Sequence, residues 1–468
     1  MTPLSLLLVG TLFTLIGCCL GILTGLIPGF HVNTVSFLIL SFQSVLVMFS
    51  LTLIGGFDPS MEYVIALISV LIIGCVVTHT FLNFIPATYL GAPEGETALS
   101  VLPAHRMLLE GKGYEAIKAS ALGSLGASMF ALLLILPARL IMSSPVNLYE
   151  KLVPFIPLIL FFVVSILVLQ EGATLLDYRE KLVAIGIFLL SGFLGFSILS
   201  PGGISSYVWA PFEQEGLSNA SVLLFPLFTG LFGISNLLVS LMDNPEIPEQ
   251  QTDDIEIGLE DKNKIRGTIA GTFSGGLVGW LPGITGAAAT AVTRIFLSND
   301  DSEEIQSKEY IMSVSAVDTS CAIFTIVALF VIMKARSGAM QAVFKLNEDF
   351  LSSWNSMTNL PWLMALLLFS VILSSGIAYV LTLWFGKAFS GIHQKIEYSK
   401  ISKGIIVFLI ILIFIFSGPV GLIVAAVSVA IGLIPPLYGI KRVHLMGCII
   451  FPIILFITAF DQYLLGIF

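Results

Sequence analysis

Charge is what this sequence has least of. Asp, Glu, Lys and Arg supply 11% of its 468 residues, against about 25% in soluble globular domains, and its first Lys or Arg is Arg106. A soluble fold is excluded on that ground. The 21 basic residues against 30 acidic ones leave a net charge of −9. No basic surface is available to neutralise phosphates, and no nucleic-acid partner is expected. The five cysteines, Cys18, Cys19, Cys75, Cys321 and Cys448, lie in apolar stretches without metal-ligand spacing and read as small core hydrophobes. No GxxxxGK[ST] phosphate loop, HExxH pair or GxSxG elbow occurs, so ATP-driven pumping and intramembrane metalloproteolysis lack their residues and an enzyme is not expected. A cleavable signal peptide needs a positive start, and with none the N-terminal apolar segment is expected to stay in the mature protein.

What the chain has instead is apolar length. It is 56% hydrophobic with a mean hydropathy of +0.99. Apolar runs of bilayer-spanning size cover approximately 4–27, 33–54, 61–91, 116–144, 152–170, 180–199, 219–242, 267–297, 310–334, 358–386, 403–417, 419–436 and 443–467. They are continuous rather than alternating, which excludes a β-barrel and predicts an all-α polytopic membrane protein with ten to thirteen transmembrane helices. A multi-pass chain of the plasma membrane, in contact with membrane lipid, is expected.

The longest polar interruption is 243–266, with eight acidic and three basic residues, two prolines and no aromatic. It reads as a solvated acidic linker between a first transmembrane repeat, 1–242, and a second, 267–468. Lys and Arg concentrate in 92–118, 171–181 and the basic end of this linker, the candidates for the cytoplasmic side. The loop 387–403 joins that side only if 267–297 enters the membrane and returns, as a re-entrant hairpin does.

Comparison of the chain with itself supports two repeats. Gly21, Gly25, Pro28 and Gly29 match Gly275, Gly279, Pro282 and Gly283 at a constant offset of 254 residues, in the pattern G-x3-G-x2-P-G. Small residues four apart suit close helix packing, and Pro-Gly then breaks the helix inside an apolar stretch. A break at lipid depth survives only where protein or a water-filled cavity satisfies the freed backbone groups. The residues that follow each break are fit for that: His31, Asn33, Thr34 and Ser36 in the first half, Thr285, Gly286, Thr290 and Thr293 in the second. Where the helix restarts, its N-terminus presents free N–H groups and the positive end of its dipole to an anion. Paired broken helices mark the binding site of a secondary transporter, in repeats that are inverted if an odd number of crossings separates them. The alternative is that Pro-Gly merely kinks two packed helices.

Ionisable residues at membrane depth add a second set. His79 and Asn83 share one helix face, and Asp318, followed by Thr319 and Ser320, lies eight residues into an apolar run. A buried carboxylate must be neutralised or paired, so this set is expected to couple to an ion, with Na⁺ at Asp318 as the metal candidate; the alternative is a structural pair. Arg294, about three helical turns beyond Pro282, is placed to attract an anion, but it precedes LSNDDSEE and is expected first of all to mark the end of its segment. No organic cofactor is expected.

These residues resemble the large membrane permease of the tripartite tricarboxylate transporters, the TctA-like family. The resemblance covers the two Pro-Gly segments and, most specifically, Gly91-Ala92-Pro93-Glu94-Gly95-Glu96-Thr97-Ala98-Leu99, continuing through Pro103, Met107 and Gly111 into Ala116. It implies inward movement of carboxylates such as citrate, driven by an ion gradient, with a small membrane subunit and an extracytoplasmic binding protein as partners. The expectation is thus a secondary active transporter for a small organic anion. Its rivals are a lipid-linked (polyprenyl) phosphate translocase of similar architecture and a non-transporting scaffold subunit; a homo-oligomer is left open.

Overall fold

The computed structural model describes residues 2–27, 30, 32–54, 56, 59–89, 101–169, 171–172, 177–200, 202–207, 219–243, 248–252, 257–281, 286–293, 296–297, 302–356, 359–392 and 398–460. All regular structure in them is helical. The first part of the chain forms α1 (Pro3–Leu26), α2 (Val32–Ser41), α3 (Gln43–Ile54), α4 (Met61–Leu82), α5 (Phe84–Tyr89), α6 (Val101–Leu109) and α7 (Gly113–Met142). There follow α8 (Leu148–Leu152), α9 (Ile156–Leu169), α10 (Tyr178–Leu199), α11 (Asn219–Phe228) and α12 (Ser235–Asp243). The remainder forms α13 (Asp261–Trp280), α14 (Gly286–Thr293), α15 (Glu303–Val331), α16 (Gly338–Leu346), α17 (Trp362–Ile392), α18 (Tyr398–Gly432), α19 (Ile434–Tyr438) and α20 (Gly447–Ile457).

Nine helical spans among the described residues are long and apolar enough to cross a membrane, which makes this a multi-pass membrane protein. The count falls below ten to thirteen because several apolar runs do not form single rods. The run 33–54 divides at Phe42 into α2 and α3, and 267–297 yields α13 and the short α14. The runs 403–417 and 419–436 do stay distinct: α18 is two helices meeting at Gly418, whose φ of 60° and ψ of −158° are non-helical, and the two are taken together as one of the nine spans.

Five apolar clusters among the described residues gather these helices into two groups. The larger draws on α1, α2, α4, α7 and α13 together with α15, α16 and α17. The other unites α9 to α12 with α18 to α20, and a buried contact between His444 Nε2 and Glu171 Oε1 (2.9 Å) ties the end of α9 to the turn before α20. Of the cysteines, Cys18, Cys75 and Cys448 are buried as expected, but Cys19 is exposed on the outer face of α1.

Within the larger group, close packing occurs twice in the same form. A Cβ added at Gly17, Gly21 or Gly25 of α1 would lie 2.2, 2.8 or 3.2 Å from the carbonyl oxygens of Leu71, Cys75 and His79 on α4. At Gly271, Gly275 and Gly279 of α13 it would lie 2.3, 2.3 or 3.1 Å from those of Ser313, Val317 and Cys321 on α15. Only glycine lets the backbones approach this closely.

The contacts also fix helix directions. Partners rise together along α1 and α4, and along α13 and α15, so each pair is parallel. α17 runs with α4, since Ser370 Oγ donates to Val70 O and Tyr89 Oη to Gly386 O. It runs against α7, where Ser375 meets Ser128 and Gly386 meets Ile117. α7 runs with α15, through Glu115–Lys308 and then Ser124–Ser315. Hence α13 and α15 run opposite to α1 and α4.

One end of this group carries a charged network. Arg266 binds Glu309 through two bonds of 2.5 and 2.8 Å, Lys308 reaches Glu115 at 2.6 Å, Lys112 reaches Glu304 at 2.9 Å, and Arg106 pairs with Glu303 and Glu110. Those two carboxylates hold the Arg106 guanidinium above its ordinary range, Glu303 most strongly. Gly386 lies beside Tyr89 and Ile117, so the loop 387–403 begins at this same end.

The central segment is less solvated than its composition suggests. Gln250 is buried, its Oε1 accepting from Gly113 N (2.9 Å) and its Nε2 donating to Leu108 O (3.0 Å), and Leu259 is buried in the core. The glutamine satisfies an N–H that the first turn of α7 would otherwise leave without a partner, which docks the segment on the α6–α7 corner.

Candidate functional site

α4 and α15 are the most enclosed of the long helices, so polar side chains on them face other helices rather than lipid. Thr78, His79, Thr80 and Asn83 on α4 and at its end, and Ser313, Ser315, Asp318, Thr319 and Ser320 on α15, are all buried. Asp318 sits near the midpoint of the 29-residue α15, about 20 Å from either end at 1.5 Å per residue.

The two helices cross at these residues. Asn83 Nδ2 donates to Asp318 Oδ2 at 2.8 Å, and Thr319 Oγ1 donates to Thr80 Oγ1 at 3.2 Å. Asn83 is 1% exposed and Asp318 5%. Only the amide nitrogen of Asn83 can bond a carboxylate, which leaves its Oδ1 as a buried acceptor with no partner among the described residues. A carboxylate, an open amide oxygen and two hydroxyls, all of them oxygen ligands, form an arrangement able to take a hard cation or a proton.

The ends of the close-packed glycine helices lie against this crossing. Gly25, next to the last residue of α1, abuts Leu82 and Asn83, and Gly279, next to the last residue of α13, abuts Cys321 and Phe324. α1 stops at Leu26 and helix resumes at Val32; α13 stops at Trp280 and helix resumes at Gly286. The intervening Pro28, Gly29, His31, Pro282, Gly283 and Thr285 lie outside the described residues, as do Arg294, Glu94, Glu96 and the side chain of Thr34.

The structure does not bring every expected residue to the cluster. Asn33 turns to α16, its Oδ1 accepting from Ala339 N at 3.0 Å. Thr290 and Thr293 bond back to Gly286 O and Ala289 O on their own helix, both at 2.8 Å. Ser320 bonds to Ala316 O (2.6 Å) and faces α13, where a Cβ on Gly275 would lie 2.2 Å from its Oγ. His79 is buried beside the end of α1, to which its carbonyl packs. Thr80 lies three residues before Asn83, a spacing that puts it on the same helical stripe and is the one sequence signal for its place in the cluster.

The tripartite tricarboxylate transporter TctA family model matches residues 11–447, nearly the whole chain. The chain belongs to that family. An uncharacterized protein of Methanocaldococcus jannaschii is 29% identical over 455 residues, which are 95% of this chain and 98% of the relative. No solved structure matches. Within this TctA family chain, the family match spans both close-packed helix pairs and the Asn83–Asp318 crossing.

Proposed function

We propose that this TctA family protein is a secondary active transporter that carries an organic anion of the di- or tricarboxylate class across the plasma membrane, coupled to Na⁺ or H⁺. The observation that carries this reading is the Asn83–Asp318 pair: an acidic side chain held at the middle of a buried helix, beside the ends of two interrupted ones. Ionisable residues kept at that depth are costly, and an ion pathway is the usual reason for them. Asp318, Asn83, Thr80 and Thr319 take the coupling ion in this account. The tips at Pro28–Thr34 and Pro282–Thr290 hold the anion, at the N-termini from which α2 and α14 restart.

The halves 1–242 and 267–468, joined by 243–266, form an inverted repeat in this reading. The opposed directions of α1 and α13 and their matched glycine contacts support it. In this reading the end that carries Arg106, Lys112, Arg266 and Lys308 faces the cytoplasm. The two groups of helices suit alternating access by one bundle moving against the other. A small membrane subunit and an extracytoplasmic binding protein complete the assembly.

Proteoliposomes containing the chain are expected to accumulate labelled citrate or succinate under an imposed Na⁺ or proton gradient. Uptake indifferent to both gradients would remove the coupling. Binding of a polyprenyl phosphate but of no carboxylate would move the assignment to lipid-linked phosphate.

A further inference from the structure

Arg336 lies on the short connection between α15 and α16, next to both interrupted regions. After α15 the chain turns at Met333, whose φ of 51° is left-handed, and α16 begins at Gly338. Asn33 of α2 binds Ala339 N at 3.0 Å, which joins the first interrupted region to this corner. On the other side, the Arg336 guanidinium lies 5.2 Å from the Tyr149 ring centroid and its Nη2 donates to Tyr149 Oη at 2.8 Å. Tyr149 in turn packs against Trp280, the last residue of α13, with ring centroids 6.5 Å apart. Arg336 therefore reaches the end of the second interrupted helix through one aromatic ring.

Its charge is poorly compensated. Arg336 forms no ion pair among the described residues, and its Nε is buried with no acceptor. Burial lowers its proton affinity below the ordinary value, opposed only by Tyr149. Arg139, at the end of α7, is a contrasting case, although Arg442 before α20 likewise has a buried Nη1 with no acceptor among the described residues. Arg139 too lies over an aromatic ring, that of Trp354, but its Nε and Nη2 donate to Trp354 O (3.3 Å) and Asn355 O (2.7 Å). A half-buried guanidinium left with a spare N–H is costly unless an anion completes it, and a planar fork suits a carboxylate better than any other side chain does.

Resting on the transport reading, we propose that Arg336 is the cargo-recognition residue, the accessible part of its half-buried guanidinium donating to an oxygen of the substrate carboxylate beside Tyr149 and Trp280. The ring stack holds the guanidinium in place, and Trp280 passes the presence of the anion to the end of α13.

The test is a titration of the purified full chain with citrate, succinate and inorganic phosphate, read by tryptophan fluorescence, with Trp280 as the reporter. Wild type should show saturable quenching by a carboxylate. Arg336→Gln should weaken it about thirtyfold or more, and Arg336→Lys, which keeps the charge and loses the fork, about tenfold. If the glutamine variant does not fold, the lysine variant decides. Unchanged affinity in a folded variant, or no saturable anion binding by wild type, overturns the proposal. Carboxylate binding that depends on Arg336 in a protein without gradient-driven uptake would sink the transport reading and leave the anion site standing; gradient-driven citrate uptake with unaltered KM in Arg336→Gln would do the reverse.

Discussion

Replacing Asp318 by asparagine is expected to abolish ion-coupled uptake while leaving the chain folded and inserted in the membrane. The substitution keeps the size and shape of the side chain, and an amide oxygen at the Oδ2 position still accepts from Asn83 Nδ2, 2.8 Å away. The Thr319–Thr80 bond at the same crossing is untouched. What disappears is the negative charge, the one feature of the cluster that can bind and release a proton or attract Na⁺. The loss of gradient-driven uptake should be on the order of a hundredfold, the scale on which removing one preorganised electrostatic group acts. Uptake of labelled citrate by proteoliposomes, compared with thermal denaturation of the same preparation, separates loss of coupling from loss of fold. Wild-type rates in the variant would clear Asp318 of any part in coupling.

Gly275→Ala should be as damaging to the fold as Asp318→Asn is to coupling. A Cβ at this position would lie 2.2 Å from Ser320 Oγ and 2.3 Å from Val317 O. The hydroxyl is itself bound to Ala316 O at 2.6 Å, and the carbonyl belongs to the backbone of α15, so neither neighbour yields without separating the helices. Overpacking of this kind costs about 1–3 kcal/mol where some relaxation is possible, and more where backbone meets backbone. The control is Gly376→Ala on α17, where an added Cβ meets nothing within 4 Å and the better helix propensity of alanine should stabilise by about 0.5–1 kcal/mol. Denaturation midpoints of the two variants in detergent check the pair. Equal stability of Gly275→Ala and wild type would mean that α13 and α15 are not packed in this register.

The parts legible from sequence were those that local chemistry dictates. Adjacent glycine and proline interrupt a helix, so Gly418-Pro419 marks the break in α18, whereas the spacing of Gly21 and Gly25, repeated at Gly275 and Gly279, leaves the helix intact and points to two helices built for close approach. Burial of Asp318 followed from the apolar run around it. Its partner did not, because Asn83 lies 235 residues away and only the crossing of α4 with α15 brings the two together. Hydroxyl direction was equally hidden: Thr290 and Thr293 have the polarity of ligand residues but turn to carbonyls four residues earlier, a choice made by the local helix. The segment 243–266 looks solvated by charge count, yet Gln250, by meeting Gly113 N and Leu108 O, and Leu259, by its burial, anchor part of it. Nothing in the sequence around Arg336 marks a cation that lacks a carboxylate.

The central claim is that the carboxylate at the α4–α15 crossing meets the coupling ion. It is tested most directly by reacting the reconstituted protein with dicyclohexylcarbodiimide, which modifies protonated carboxyl groups in apolar surroundings, and locating the adduct by mass spectrometry. The account predicts modification of Asp318 that Na⁺ suppresses if sodium is the coupling ion, or that declines with rising pH without any effect of Na⁺ if the proton is. An Asp318 that resists the reagent under all conditions, or that reacts equally whatever the Na⁺ concentration and pH, would contradict it.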